Sequence, residues 1–188
     1  MTIDFSALSD GELASLSLAG RQSAFAELVR RHRQPIYRLV VGNIGDPDEA
    51  LDLVQETFVA AYRALRRFDA ARSMRTWLSA IAMNKCRDWS RRRRVRRFLG
   101  LSPTAEADLR HIAEDKPLPD VQAGDRQDLR RLAAAVAELP PSLREPLVLH
   151  VIEGASQAET ASILGVSEKA VETRVRRARA KLADQLRN

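Results

Sequence analysis

The chain has 188 residues, enough for one ordinary domain or two small ones. It carries 31 Lys and Arg against 25 Asp and Glu, and the resulting +6 favours polyanionic partners. The single Cys86 excludes an internal disulfide and fits a reducing, cytoplasmic setting; no stretch approaches the roughly 18–20 apolar residues of a membrane span, and the opening residues lack a secretion-signal pattern.

Residues 1–20 read as a lead-in without a defined element. From 21 to about 97 the pattern is helical. Phe25, Leu28, Val29, Ile36, Tyr37 and Val40 recur at steps of three and four. "GDPDEA" (45–50) is a turn followed by acids, which suits a helix start. The helix after it places Val54, Phe58, Ala61, Tyr62 and Leu65 on one side. A third follows "FDAARSMRT", with Trp77, Leu78, Ile81, Ala82 and Trp89. No run alternates apolar and polar residues for long enough to argue for a sheet.

Charge is sorted along the chain. "KCRDWSRRRRVRR" (85–97) holds eight basic residues and one acid. Beyond it, Glu106, Asp108, Glu114, Asp115, Asp120 and Asp125 stand against Arg110 and Lys116, among Pro103, Pro117, Pro119 and Gly124. Such a segment reads as a flexible acidic linker. Helical periodicity returns near 128. In "LPPSLRE" (139–145), Ser142 and Glu145 fit a capping box, with Pro146 in the first turn. The expected architecture is all-α: a lead-in (1–20), two small helical domains (21–97 and 128–188) and an acidic flexible linker (98–127).

Near the C-terminus, Ser156 and Glu159 form a second capping-box pattern, Gly165 can end that helix, and Ser167 can cap the next. Val171, Val175, Ala178 and Leu182 line one face of this last helix. A short helix, a Gly turn and a longer helix are the layout of a helix-turn-helix. The outward residues of the second helix include Glu168, Lys169, Glu172, Thr173 and Arg176, types that pair with base edges in the major groove. Arg177, Arg179 and Lys181 suit phosphates. A plain helical hairpin with a solvated basic face is the competing interpretation.

Two earlier blocks carry further chemistry. In "ALDLVQETFVAAYRAL" (50–65), Asp52, Gln55, Glu56 and Val59 share the face opposite the apolar stripe. This face suits a protein partner presenting basic residues, or simply water. In "RRFDAARSMRTWLSAIAMNKCRDWSRRRR" (66–94), aromatics (Phe68, Trp77, Trp89) mix with Arg72, Arg75, Asn84, Lys85 and Arg87. Rings that stack on bases beside cations that hold the backbone suit unpaired DNA. Both tryptophans also fit a small helical core, Trp89 more readily than Trp77.

Taken in order, "FAELVRRHRQPIYRLV", "DLVQETF", "RTWLSAIAMNKCRDWSRRRR" and the helix-turn-helix resemble a bacterial RNA polymerase sigma factor of the sigma-70 family, extracytoplasmic-function group. The resemblance covers roughly 21–97 and 128–186. It implies core RNA polymerase, through the beta-prime clamp helices and the beta subunit, and promoter DNA as partners. Docking would fall to Asp52, Gln55, Glu56, Thr57 and Phe58. Phe68, Arg72, Arg75, Trp77, Asn84, Lys85, Arg87 and Arg91 would read and melt the −10 element, with the loop 70–75 and Asn84 holding a flipped-out base. Glu168, Lys169, Glu172, Thr173, Arg176, Arg177, Arg179 and Lys181 would serve the −35 element. The resemblance also implies control by an anti-sigma factor. Leu51 stands where relatives usually carry an acid, and "RRRRVRR" is more basic than typical.

The resemblance implies no enzyme, cofactor or metal. His32, His111 and His150 lie far apart in sequence, and no phosphate-binding Gly loop occurs. A stand-alone DNA-binding regulator would leave 50–94 unexplained, and an RNA-binding adaptor would prefer structured RNA to duplex DNA.

Overall fold

The computed structural model describes residues 4–99 and 123–187, and among these every regular element is helical. The larger part of the expected linker, 100–122, lies outside the described residues.

The N-terminal domain has four α-helices: α1 (Asp10–Leu18), α2 (Gln22–Ile44), α3 (Pro47–Ala64) and α4 (Met74–Phe98). Residues 10–18, expected to form no element, make α1. Its start is a complete capping box, with the Ser9 hydroxyl accepting from the Glu12 N–H and the Glu12 carboxylate accepting from Ser9 N–H. Its apolar residues do not form a stripe, so periodicity does not announce it; only Leu13 and Ala14 are buried among them. Arg31 on α2 moors the segment. Its guanidinium donates to the carbonyls of Phe5, Ser6 and Leu8 and to Asp10, while Nε donates to Glu27 at 2.8 Å.

Gly45 ends α2 with a φ of 72°, in the left-handed region that glycine enters without a Cβ penalty. Asp46 caps α3, accepting from the N–H groups of Asp48 and Glu49, and Pro47 takes the first helical position. The core between α2, α3 and α4 holds Leu28, Ile36, Leu39, Leu53, Leu65, Leu78 and Met83, each at most 2% exposed. Burying each such side chain contributes about 1.5–3 kcal/mol.

The C-terminal domain comprises α5 (Ala123–Glu138), α6 (Pro141–Leu147), a π-helical turn over Val148–Ile152, α7 (Gln157–Leu164) and α8 (Glu168–Arg187). Ser142 does not cap α6. The helix begins at Pro141 with Pro140 before it and no side-chain cap, and Pro146 lies in its second turn. Two prolines preset the entry, and Glu145 reaches instead to Arg87 on α4 at 2.7 Å. The other local expectations hold. Ser156 and Glu159 complete a capping box, Gly165 ends α7 at φ 69°, and Ser167 accepts from Ala170 N–H. Val171, Val175, Ala178 and Leu182 form the buried face of α8.

The two domains pack together. A Cβ on Gly42 would stand 3.1 Å from Val148 Cγ1, so α2 and the π-helical turn approach at a glycine. Cys86 is buried near this seam, and burial, then the nearby Glu145 charge, pushes its thiol up to about 12, which leaves it unreactive at neutral pH.

Candidate nucleic-acid interface

The helix-turn-helix is assembled from short-range signals. The capped α7, the left-handed Gly165 and the Ser167 cap set α8 with its apolar face inward. Its opposite side exposes Glu168, Lys169, Glu172, Arg176, Arg177, Arg179 and Lys181, with Thr173 half-buried. Lys169 donates to Glu172 at 2.8 Å, and that bond with the Lys169 charge holds the Glu172 carboxyl below its usual range. Among the described residues, Arg176, Arg177, Arg179 and Lys181 enter no ion pair.

The basic block of the N-terminal domain is more constrained. Trp89 is 6% exposed and is a strut: its indole N–H donates to Glu49 on α3 at 2.8 Å, with Arg93 4.8 Å above its ring. Phe68 and Trp77 are half-buried and packed on each other, centroids 5.2 Å apart. They anchor the loop that Ser73 closes by capping α4. Beside this loop lies a cleft of about 780 Å³. One wall is Phe68, Ala70, Arg72, Ser73 and Met74; the other, from the N-terminal segment, includes Ser9, Asp10, Glu12 and Ser15. That second wall had no signal in the sequence beyond the Ser9–Glu12 capping pattern. Asn84 is exposed but does not line the cleft; it stands eleven positions along from Ser73, about 16 Å of axial rise.

A second cleft of about 550 Å³ runs between α3 and α4. Glu49, Asp52 and Glu56 form its acidic side, and Arg91, Arg92 and Arg96 its basic side. Lys85 bridges to Glu56 at 3.1 Å.

These features match known families. The model for Sigma-70 region 2 matches residues 28–96, and that for Sigma-70, region 4 matches 129–182. The RNA polymerase sigma factor CnrH of Cupriavidus metallidurans is 44% identical over 177 residues, spanning 93% of this chain and 92% of the relative. The ECF RNA polymerase sigma factor SigW of Bacillus subtilis is 31% identical over 172 residues, 90% of this chain and 92% of the relative. The chain belongs to the sigma-70 family, extracytoplasmic-function group. Sigma factors are non-catalytic transcription initiation factors. Among solved structures, CnrH in complex with the cytosolic domain of CnrY superposes with a TM-score of 0.68 at 36% identity, covering 94% of this chain and 96% of that one. RpoE in complex with the anti-sigma factor NepR from Bartonella quintana gives 0.71 at 23% identity, over 87% of this chain and 96% of that one, a likeness of fold alone.

In this sigma factor the residues matched to core docking divide. Asp52, Gln55 and Glu56 are exposed on α3. Thr57 and Phe58 are buried, Thr57 at 0% and donating to the Leu53 carbonyl, so they hold the helix from its inner side. The residues matched to the −10 element divide as well. Arg72 and Arg91 are exposed and, among the described residues, pair with Asp69 and Asp88 one turn away. Arg75 and Arg87 are engaged by region 4, through Glu153 and Glu145. The Glu145 bond raises the pKa of Arg87.

Proposed function

We propose that this sigma factor directs core polymerase to promoters through three surfaces. The exposed face of α8 reads the −35 element, with Lys169, Glu172, Thr173 and Arg176 toward base edges and Arg177, Arg179 and Lys181 on phosphates. Region 2 engages the −10 element through Arg72, Arg75, Lys85, Arg87 and Arg91, and the cleft between the Phe68–Trp77 loop and α1 accepts an unstacked base. Asp52, Gln55 and Glu56, beside the α3–α4 cleft, dock on the beta-prime clamp helices. Bond-making belongs to the polymerase, so the chain works in the cytoplasm without a catalytic group of its own. A relative, CnrH, is held by the cytosolic domain of CnrY, which supports control of this chain by an anti-sigma factor.

The observation that carries the reading is α8: exposed cations that enter no ion pair among the described residues, backed by a buried Val171, Val175, Ala178 and Leu182 stripe. The test is to mix the purified chain with core polymerase and run run-off transcription on fragments of the source genome. Initiation from discrete sites is the expected result. Duplex DNA binding without polymerase binding would replace this reading with a stand-alone regulator.

A further inference from the structure

Region 4 reaches region 2 through carboxylates. Glu153 follows the π-helical turn, which closes with its own N–H donating to the Val148 carbonyl, before Gly154 turns the chain at φ 70°. The wide turn aims Glu153 into region 2, where its side chain is 5% exposed. It accepts from Arg38 Nε at 3.1 Å and from Arg75 Nη2 at 3.1 Å, and Arg75 also donates to its carbonyl. Along the same seam, Glu145 accepts two bonds from Arg87 at 3.1 and 2.7 Å. Glu159 accepts from the Thr76 hydroxyl at 3.2 Å. Three carboxylates of region 4 therefore meet three arginines and a hydroxyl of region 2.

Carboxylates and phosphates ask the same of a guanidinium, two anionic oxygens in its plane. We propose that the face of region 2 formed by Arg38, Arg75, Thr76 and Arg87 is a DNA-backbone surface with two alternating occupants: the carboxylates of region 4 in the free chain, and promoter DNA phosphates once the regions part. This rests on the reading of Arg75 and Arg87 as −10 contacts and adds Arg38, which no motif singled out. The closed form is therefore self-inhibited at the −10 surface while α8 stays open.

The seam is suited to reversible parting. A carboxylate facing two arginines loses solvation on burial and regains it on release, so the pairs select an arrangement more than they add net stability. The apolar contact across the seam packs Val148 against Gly42 and Ala137 against Gly45, both at glycines. DNA affinity in such a system is reduced by the fraction of chains that are open.

The opposite halves of one ion pair give the test. Full-length chains carrying Glu145→Gln with Glu153→Gln, Arg75→Ala, or Gly42→Leu are compared with the parent without polymerase. Small-angle scattering reads closure, and anisotropy reads binding of labelled single-stranded DNA from the promoter mapped by run-off transcription. All three variants are expected to expand the chain. The glutamine pair removes the competing charge, and Gly42→Leu wedges the seam without altering charge. Both should tighten DNA binding about tenfold, the gain expected if about one chain in ten is open. Arg75→Ala should weaken binding despite the expansion. Expansion by the glutamine pair or by Gly42→Leu with no gain in binding, while Arg75→Ala still weakens it, would overturn the proposal alone. Unchanged compactness of the glutamine pair would overturn it while leaving the −10 reading intact. Loss of the −10 reading has a separate sign: Arg75→Ala would bind as tightly as the glutamine pair.

Discussion

Helices α4 and α8 both concentrate arginine on the side away from their apolar residues, yet they stand in different surroundings. On α8, Arg176, Arg177, Arg179 and Lys181 face solvent. On α4, Arg75 and Arg87 are held by Glu153 and Glu145, from a domain far along the chain. The cause is position. Helix α4 lies against region 4 from Arg75 to Arg87, whereas α8 turns its charged side outward. Equivalent composition thus marks an exposed surface on one helix and a surface already occupied on the other.

The first way to break this comparison is to ask whether the regions act as one body. Leu78→Ala, in the core of region 2, should cost about 2–5 kcal/mol in urea unfolding. A shift confined to the transition of region 2 is expected, since a seam open in about one chain in ten couples the regions only weakly. A single transition shifted as a whole would mean that the seam holds the regions far more firmly.

The second concerns the face of region 2 that region 4 leaves uncovered. Asp52→Lys with Glu56→Lys should weaken polymerase binding about a hundredfold or more, because like charges would oppose a basic partner. The far-UV helix signal should be retained, since both residues are exposed. Unchanged binding would remove α3 from the docking surface.

A smaller effect sharpens the description of α8. Arg176→Ala should relax selectivity at one −35 position by about 1–3 kcal/mol, read by competition among duplex variants. Arg177→Ala should weaken all sequences alike and lower the salt slope. Exchange of these two patterns would reverse their assignment to base and phosphate.

The smallest effect is a titration at the N-terminal segment. Hydrogen bonds from Arg30 and then Arg31 depress the Glu27 carboxyl from its ordinary 4.5 to about 2. The folded state therefore binds this proton more weakly than the unfolded chain. The stabilisation is complete above pH 4.5 and is lost as pH falls toward about 2. Carbon NMR of Glu27 should titrate there, and Arg31→Ala should move the midpoint upward while releasing Phe5, Ser6 and Leu8 from their carbonyl bonds.

Local features were legible in advance. The Ser156–Glu159 box, the Gly165 stop and the α8 stripe each depend on residues within a turn or two, so spacing alone defines them. Legibility failed where one residue type serves two ends. Ser142 and Glu145 have capping-box spacing, but prolines begin that helix and Glu145 has a better partner across the seam. Trp89, by contrast, was expected in the core despite its basic run, and its indole does brace α3 against α4. Thr57 and Phe58 sit inside the docking motif and face the core.

By itself, the sequence determined the all-helical class, the helix-turn-helix and the side of each main helix that turns from water, because a period of 3.6 residues and its caps act over short range. The tertiary structure alone decided what lies across from each face. It folded α1 against the loop that precedes α4 and joined Arg38 to Glu153 over 115 residues of chain. Periodicity reports that a face is polar; it carries no record of which distant charge will neutralise it.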